Sequence, residues 1–296
     1  MIEQLKELMA HRGWSQTQVA RALGKSGTVI SLYLNGKYEK GDITALEGDI
    51  TALIAREAEK DRNQKLIIPF IRTVTARKCL EVIKMAHLDG DINVICGDAG
   101  MGKTMVMRQY AAENRTAILL EADPGYTARV VLEEICKKLE LGCRGNMHEL
   151  SDAIVAKLRD SGRVLLIDEA ENLPHRALEV IRRIHDKSGI GVVLAGMPRL
   201  IVNLKGRRGE FKQLYSRVGF SLALGDTLPR GDIDAIATSV LSDAQEPAVG
   251  DALFSASHGN ARRLFKLLRG VRRYSLMNSV PVDAGAVQKF SEMLIN

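Results

Sequence analysis

Eight consecutive residues carry the clearest chemical signal in the chain. Gly97, Asp98, Ala99, Gly100, Met101, Gly102, Lys103 and Thr104 fit the pattern G-x-x-x-x-G-K-[ST]. Glycines at these spacings let the backbone turn tightly, so that its N–H groups face phosphate oxygens at a helix N-terminus. Lys103 would reach the β- and γ-phosphates, and Thr104 would ligate Mg²⁺. The octet follows the apolar run Ile92–Cys96 and opens a helix-period segment, the strand–loop–helix context such a loop requires. ATP and Mg²⁺ are the expected cofactors.

A second element lies 65 residues after the lysine. Val164, Leu165, Leu166 and Ile167 suit a central buried strand, and Asp168 and Glu169 stand at its C-terminal end. Ligands of open α/β sheets bind at that end. Asp168 would hold Mg²⁺ through its water shell, and Glu169 would orient or activate the attacking water.

These residues need a scaffold. Strand-type runs occur at Asp91–Cys96, Thr116–Glu121, Arg163–Ile167, Gly189–Ala195 and Val218–Leu224. Helix-period segments lie between them at Lys103–Glu113, Ala128–Leu139, His148–Arg159 and His175–Asp186. The alternation predicts an α/β fold, a P-loop ATPase with a five-stranded parallel sheet over residues 68–225. Residues 226–296 read as a helical lid, 1–56 as a small all-α helix-turn-helix domain, and 57–67 as a charged linker or exposed helix end.

The segments GDAGMGKT, VLLIDEAENL and GVVLAGMPRL resemble those of AAA+ ATPases, and more narrowly the target-DNA activator ATPases of transposons. The resemblance covers nearly the whole chain in order and size. It implies assembly of subunits (an oligomer or helical filament) on double-stranded DNA when ATP is bound, and stimulation of a partner transposase. It implies a slow, DNA-stimulated ATPase in the host cytoplasm. By family pattern, Arg217 in Leu214-Tyr-Ser-Arg217 is an arginine finger for a neighbouring subunit's γ-phosphate. Arg262 in Gly259-Asn-Ala-Arg262 looks like the lid arginine that reaches the nucleotide. One departure stands out: the end of the fourth strand usually offers a polar residue such as Asn, and Gly196-Met197-Pro198 offers none. That points away from tight water positioning and fast turnover.

Residues Gln16–Asn35 fit a helix-turn-helix template, with Ala20 at the helix crossing, Gly24 in the turn and Val19, Leu23, Ile30 and Tyr33 as core. Ser26 can cap the second helix. That helix would present Ser26, Thr28 and Ser31 to bases, with Lys25 and Lys37 near phosphates. No Arg, Gln or Asn in its middle offers a bidentate base contact, so weak sequence discrimination is expected.

The chain has 296 residues with 42 basic and 36 acidic side chains, a formal net charge of +6. The excess is local. Arg199–Arg217 holds Arg199, Lys205, Arg207, Arg208, Lys212 and Arg217 against Glu210 alone. Ala256–Val280 holds six basic residues and no acid. On a helix, Arg262, Lys266, Arg269 and Arg273 form one stripe beside Arg263, while Leu264, Leu267, Leu268 and Val271 face away. Such a face suits phosphate backbones, with salt-sensitive and sequence-independent binding. No run is long and apolar enough for a membrane span, and Glu3 and Glu7 argue against a secretory signal. The four cysteines have no C-x-x-C spacing and read as reduced thiols, and the six histidines are scattered. Two other readings stay open: a helicase loader or replication-initiation ATPase, and a DNA-binding regulator that uses nucleotide as a sensor. Only 4% of residues are aromatic, which weighs against single-strand stacking platforms.

Overall fold

The computed structural model describes residues 1–38, 41–62, 69–206 and 212–294. The chain divides into two compact units, Met1–Ile67 and Ile68–Asn296.

The first unit is helical: α1 (Ile2–Arg12), α2 (Gln16–Leu23), α3 (Gly27–Leu34) and α4 (Ile43–Arg62). Ser15 starts α2 with a reciprocal cap. Its hydroxyl accepts from Gln18 N at 3.3 Å, and Gln18 Oε1 accepts from Ser15 N at 2.7 Å. Gly24 closes α2 in the left-handed conformation, and Ser26 caps α3. Leu5, Val19, Ala20, Ile30, Tyr33, Leu46 and Ile50 form the core. Tyr33 Oη donates to Glu47 Oε1 at 2.8 Å, and burial together with that carboxylate pushes its phenol up to about 12. The charged stretch from Arg56 is helix at least to Arg62, so α4 runs past the expected boundary at residue 56.

The second unit opens with α5 (Val74–Asp89) and then alternates: β1 (Ile92–Cys96), α6 (Lys103–Glu113), β2 (Ala117–Glu121), α7 (Ala128–Lys138), α8 (Met147–Leu158), β3 (Val164–Asp168), α9 (His175–Ser188), β4 (Gly191–Gly196), α10 (Arg199–Lys205), α11 (Lys212–Tyr215) and β5 (Val218–Ala223). The strands form one parallel sheet in the order β2-β3-β4-β1-β5. Every residue of β1, β3 and β4 is buried, as continuous apolar runs require when helices cover both faces. Side-chain alternation splits the sheet between two cores. Val94, Leu165, Ile167, Val192 and Leu194 pack with α7, α8 and α9; Ile95, Leu166 and Val193 pack with α5 and α6. Asn93 is the polar exception in β1. Its amide donates to Val82 O at 3.0 Å and its carbonyl accepts from Phe220 N at 2.9 Å, filling the register shift between β1 and β5.

The lid follows as α12 (Arg230–Val240), α13 (Pro247–Ser257), α14 (Ala261–Asn278) and α15 (Ala284–Glu292). Its joint with the sheet domain is a buried carboxylate: Asp232 accepts from Val74 N and Thr75 N, both at 3.0 Å, capping α5 from the lid side. A negative group at a helix N-terminus satisfies orphan donors and meets the positive end of the helix dipole.

Candidate nucleotide site

The loop from Gly97 to Gly102 leaves β1 and enters α6, with Gly100 at φ 87° and Gly102 at φ 88°, values that L side chains rarely adopt. Lys103 folds back over this loop. Its ammonium donates to Gly97 O at 2.6 Å and to Asp98 O at 2.9 Å. Burial lowers its basicity, and the charges of Glu171, Asp168 and Asp98 oppose that shift. The two carbonyls therefore hold a cation that a phosphate could take over.

Asp168 ends β3, and its Oδ1 accepts from the Glu169 backbone N–H at 3.0 Å. Glu169 sits at φ 52°, ψ 34°, an uncommon conformation for a non-glycine residue. This kink starts the 3₁₀ turn Ala170–Asn172. Glu169 is exposed, and its Oε2 accepts from Asn172 Nδ2 at 3.2 Å. Asn172 in turn donates to Ala122 O at 3.3 Å and accepts from Arg199 Nη2 at 2.9 Å. Glu171 projects the other way, towards the end of β4. A Cβ added at Gly196 would overlap its Oε2.

The lid closes the third side. Asn260 caps α14, its Oδ1 accepting from Arg262 N at 3.0 Å and Arg263 N at 3.2 Å, while its Nδ2 donates to Ala99 O at 2.7 Å. Ala261 N donates to Gly100 O at 3.1 Å. The open cleft between them has a volume of about 590 Å³. Lys103, Thr104, Asp168, Glu169 and Arg262 all line it, and Phe70, Ile71, Ile236 and Phe265 make one apolar part of its wall.

A model of the AAA domain family matches residues 87–203, and a helix-turn-helix model matches residues 5–46. DNA transposition protein B of the Mu-like prophage FluMu in Haemophilus influenzae is 29% identical over 84% of this chain and 88% of its own length. ATP-dependent target DNA activator B of Escherichia phage Mu is 30% identical over 79% of this chain and 75% of its own. This chain belongs to the transposition protein B family. Among solved structures, the Aeropyrum pernix ORC2 protein superposes with a TM-score of 0.58 at 18% identity, covering 80% of this chain and 72% of its own. RuvB of Thermogota maritima superposes at 0.51 with 21% identity, covering 76% and 70%. Both likenesses bear on the fold alone. It is the AAA+ fold expected from the sequence, with a helix-turn-helix at the N-terminus.

In this family member the AAA domain supplies nucleotide binding and ATPase chemistry, and the five residues that converge on the cavity are those the sequence singled out. The oxygens of Thr104 and Asp168 are hard donors that suit Mg²⁺. No group of three or more His, Cys, Asp or Glu residues among the described residues could hold a metal alone. Mg²⁺ would therefore fit with Thr104, Asp168, phosphate oxygens and water, where it would neutralise charge on the phosphates.

The other expected residues have the following surroundings, Met197 and Arg262 being part of the cavity lining. Arg217 precedes β5 and pairs with Asp186 Oδ1 at 3.2 Å, with its side chain 54% exposed. Met197 follows β4 and is exposed, so the strand end offers no polar side chain of its own. On α14, Arg262, Lys266, Arg269 and Arg273 are exposed and Leu264, Leu267, Leu268 and Val271 buried, as the period requires. Arg263 departs from that face: it is half-buried and donates to Ala256 O at 3.4 Å. In the helix-turn-helix, Thr28 and Lys37 are exposed and Ser31 is half-buried. The Ser26 hydroxyl accepts from Val29 N, and Lys25 pairs with Asp49 at 3.0 Å, so both have structural roles within the helical unit. Arg207 and Arg208 lie outside the described residues; Lys205 ends α10, its ammonium 4.7 Å from the Tyr215 ring centroid. Four side chains at the site had no sequence signal of their own: Glu171, Asn172, Arg199 and Asn260. Arg199 in particular reads by composition as part of a basic loop, yet it reaches Asn172 beside the carboxylates that end β3.

Proposed function

We propose that the protein is an ATP-dependent, largely sequence-nonspecific DNA-binding ATPase. It assembles on duplex target DNA in the host cytoplasm and activates a partner transposase. The observation that carries this reading is the placement of α14. Its N-terminus rests on the P-loop through Asn260 and brings Arg262 into the cavity, while the same helix carries Lys266, Arg269 and Arg273 on its exposed face. One rigid helix thus joins the nucleotide to a cationic surface.

In the mechanism, Lys103 leaves Gly97 O and Asp98 O for the β- and γ-phosphates, and Arg262 closes on them from the lid. Glu169 takes a proton from the attacking water. Arg217 of one subunit completes the site of the next, so that ATP bridges subunits and hydrolysis loosens the assembly. The apolar wall at Phe70 and Phe265 suits the base. Turnover is slow and DNA-stimulated because Glu169 is held by Asn172 until DNA binding reorganises the site.

The test is binding to duplex DNA with ATP, ADP or no nucleotide, viewed by electron microscopy, with single-stranded DNA as competitor. Ordered coats on duplex DNA only with ATP are expected. Lys103→Ala should lose them, and Glu169→Gln should keep them and dissociate slowly. Binding indifferent to nucleotide would sink the switch, and preference for single strands would favour a helicase-loading role.

A further inference from the structure

The end of β4 is where the ATPase site lacks a polar side chain, since Gly196 has none and Met197 is apolar. Yet a polar atom is there. Glu171 comes round from the 3₁₀ turn after β3 and lays its carboxylate against Gly196, in space that any β-carbon would fill. Its Oε2 is fully buried and has no hydrogen-bond partner among the described residues. Its backbone carbonyl is fixed by Asn203 Nδ2 at 3.0 Å, so the turn that carries it is anchored to α10.

A buried carboxylate oxygen without a donor is costly, and such an atom at a functional site implies a donor that arrives with the ligand. The cavity restricts what that donor is. Glu171 lines it together with Lys103, and it is the foremost of the carboxylates whose charge acts on that ammonium. Once ATP occupies the site, Lys103 is drawn to phosphate oxygens. Those oxygens only accept, so they cannot satisfy a carboxylate. A water molecule between Glu171 and the terminal phosphate supplies such a donor.

We propose that Glu171 is a further catalytic residue of the ATPase, holding the attacking water from the end of β4 in place of the polar side chain that strand lacks. The inference rests on the ATPase reading above and adds a second carboxylate to it. The water oxygen forms a bond to Pγ as the bond from Pγ to the β–γ bridging oxygen breaks, and that oxygen leaves on ADP. One water proton passes to Glu169. The other stays on the attacking oxygen, hydrogen-bonded to Glu171, and departs with inorganic phosphate. Gly196 is part of the device, because the carboxylate fits only while position 196 has no side chain.

Single-turnover hydrolysis of Mg·ATP on duplex DNA, with parallel measurements of ATP and ADP affinity, tests this. Glu171→Ala should slow the chemical step by about tenfold to a hundredfold, the range of a positioned acid–base group, without weakening nucleotide binding. Glu171→Gln, which has the same shape and still accepts a hydrogen bond, should recover part of that rate. Gly196→Ala alters no polar group, yet its methyl displaces the carboxylate and should reproduce the slow step. The double variant should be no slower than Glu171→Ala, since the two act on one contact. Wild-type hydrolysis in Glu171→Ala overturns the proposal. So does a parallel fall in affinity and rate, or additive costs in the double variant. A wild-type protein that hydrolyses no ATP overturns the ATPase reading itself, and this inference with it.

Discussion

Asn260 Nδ2 donates to Ala99 O at 2.7 Å, joining the N-cap of the lid's basic helix to the middle of the phosphate loop, 161 positions away in sequence. The same side chain caps α14 through its carbonyl. The two jobs separate by substitution. Asn260→Ser keeps a good cap and is too short to reach Ala99. Its thermal stability should match wild type, while bound nucleotide dissociates about fivefold faster, the equivalent of one hydrogen bond of ~1 kcal/mol. Stopped-flow release of a fluorescent nucleotide reads this, and an unchanged off-rate would mean the tether does not hold the nucleotide in.

Arg217 sits before β5 and forms an exposed ion pair with Asp186 of its own subunit. Arg217→Ala should leave ATP binding intact and lower hydrolysis by the assembled protein by roughly a thousandfold, the lower range for an arginine finger. Lys103→Ala supplies an intact Arg217 and no working site of its own. A mixture of these two inactive variants should regain activity, because each provides what the other lacks. Failure of mixing to restore turnover would remove Arg217 from the neighbouring site.

The exposed face of α14 makes a prediction in salt. Lys266→Ala and Arg269→Ala should each weaken duplex binding uniformly across sequences. Each should reduce the slope of log affinity against log salt by about 1, because one DNA phosphate is left without its cationic partner. Titrations on two unrelated duplexes across a range of salt would show it. Sequence-dependent losses would move these residues from backbone to base recognition.

Tyr33 in the helix-turn-helix is 4% exposed and donates to Glu47. Its phenol is raised from 10.0 to about 12, so folding favours the protonated form. The stabilisation is fully present below pH 10 and is lost as pH climbs towards 12. Tyr33→Phe should cost about 1 kcal/mol near neutral pH. Thermal melts of the variant should lack the alkaline decline that wild type shows across that interval, and parallel declines would assign it elsewhere.

The parts legible in the sequence are those fixed by local pattern. The P-loop, the apolar run ending in Asp168, the turn at Gly24 and the burial split of α14 each depend on residues within a few positions of one another. All five strands fall within two residues of their expected bounds for the same reason. The site residues without a signal act across the fold. Asn260 meets Ala99 through the lid, Arg199 meets Asn172 across the sheet end, and Glu171 has meaning only because Gly196 lies beneath it. Arg199 shows how composition can mislead: its neighbours make it look like part of a nucleic-acid surface, and helix α10 instead turns it to the carboxylate turn. Charge counts locate a cation along the chain, and only the packing of its helix says what it faces.

The buried Asp232 gives the lid a fulcrum. Its buried carboxylate grips two backbone donors of α5, whereas the P-loop is held at a half-buried rim by two neutral bonds, from Asn260 Nδ2 and Ala261 N. Of the two ties, the rim one yields first. A lid so held would pivot about Asp232 rather than detach, lifting the N-terminus of α14 from the P-loop and carrying its cations through an arc. Nucleotide exchange would then be a change of angle, read out at the far end of a lever.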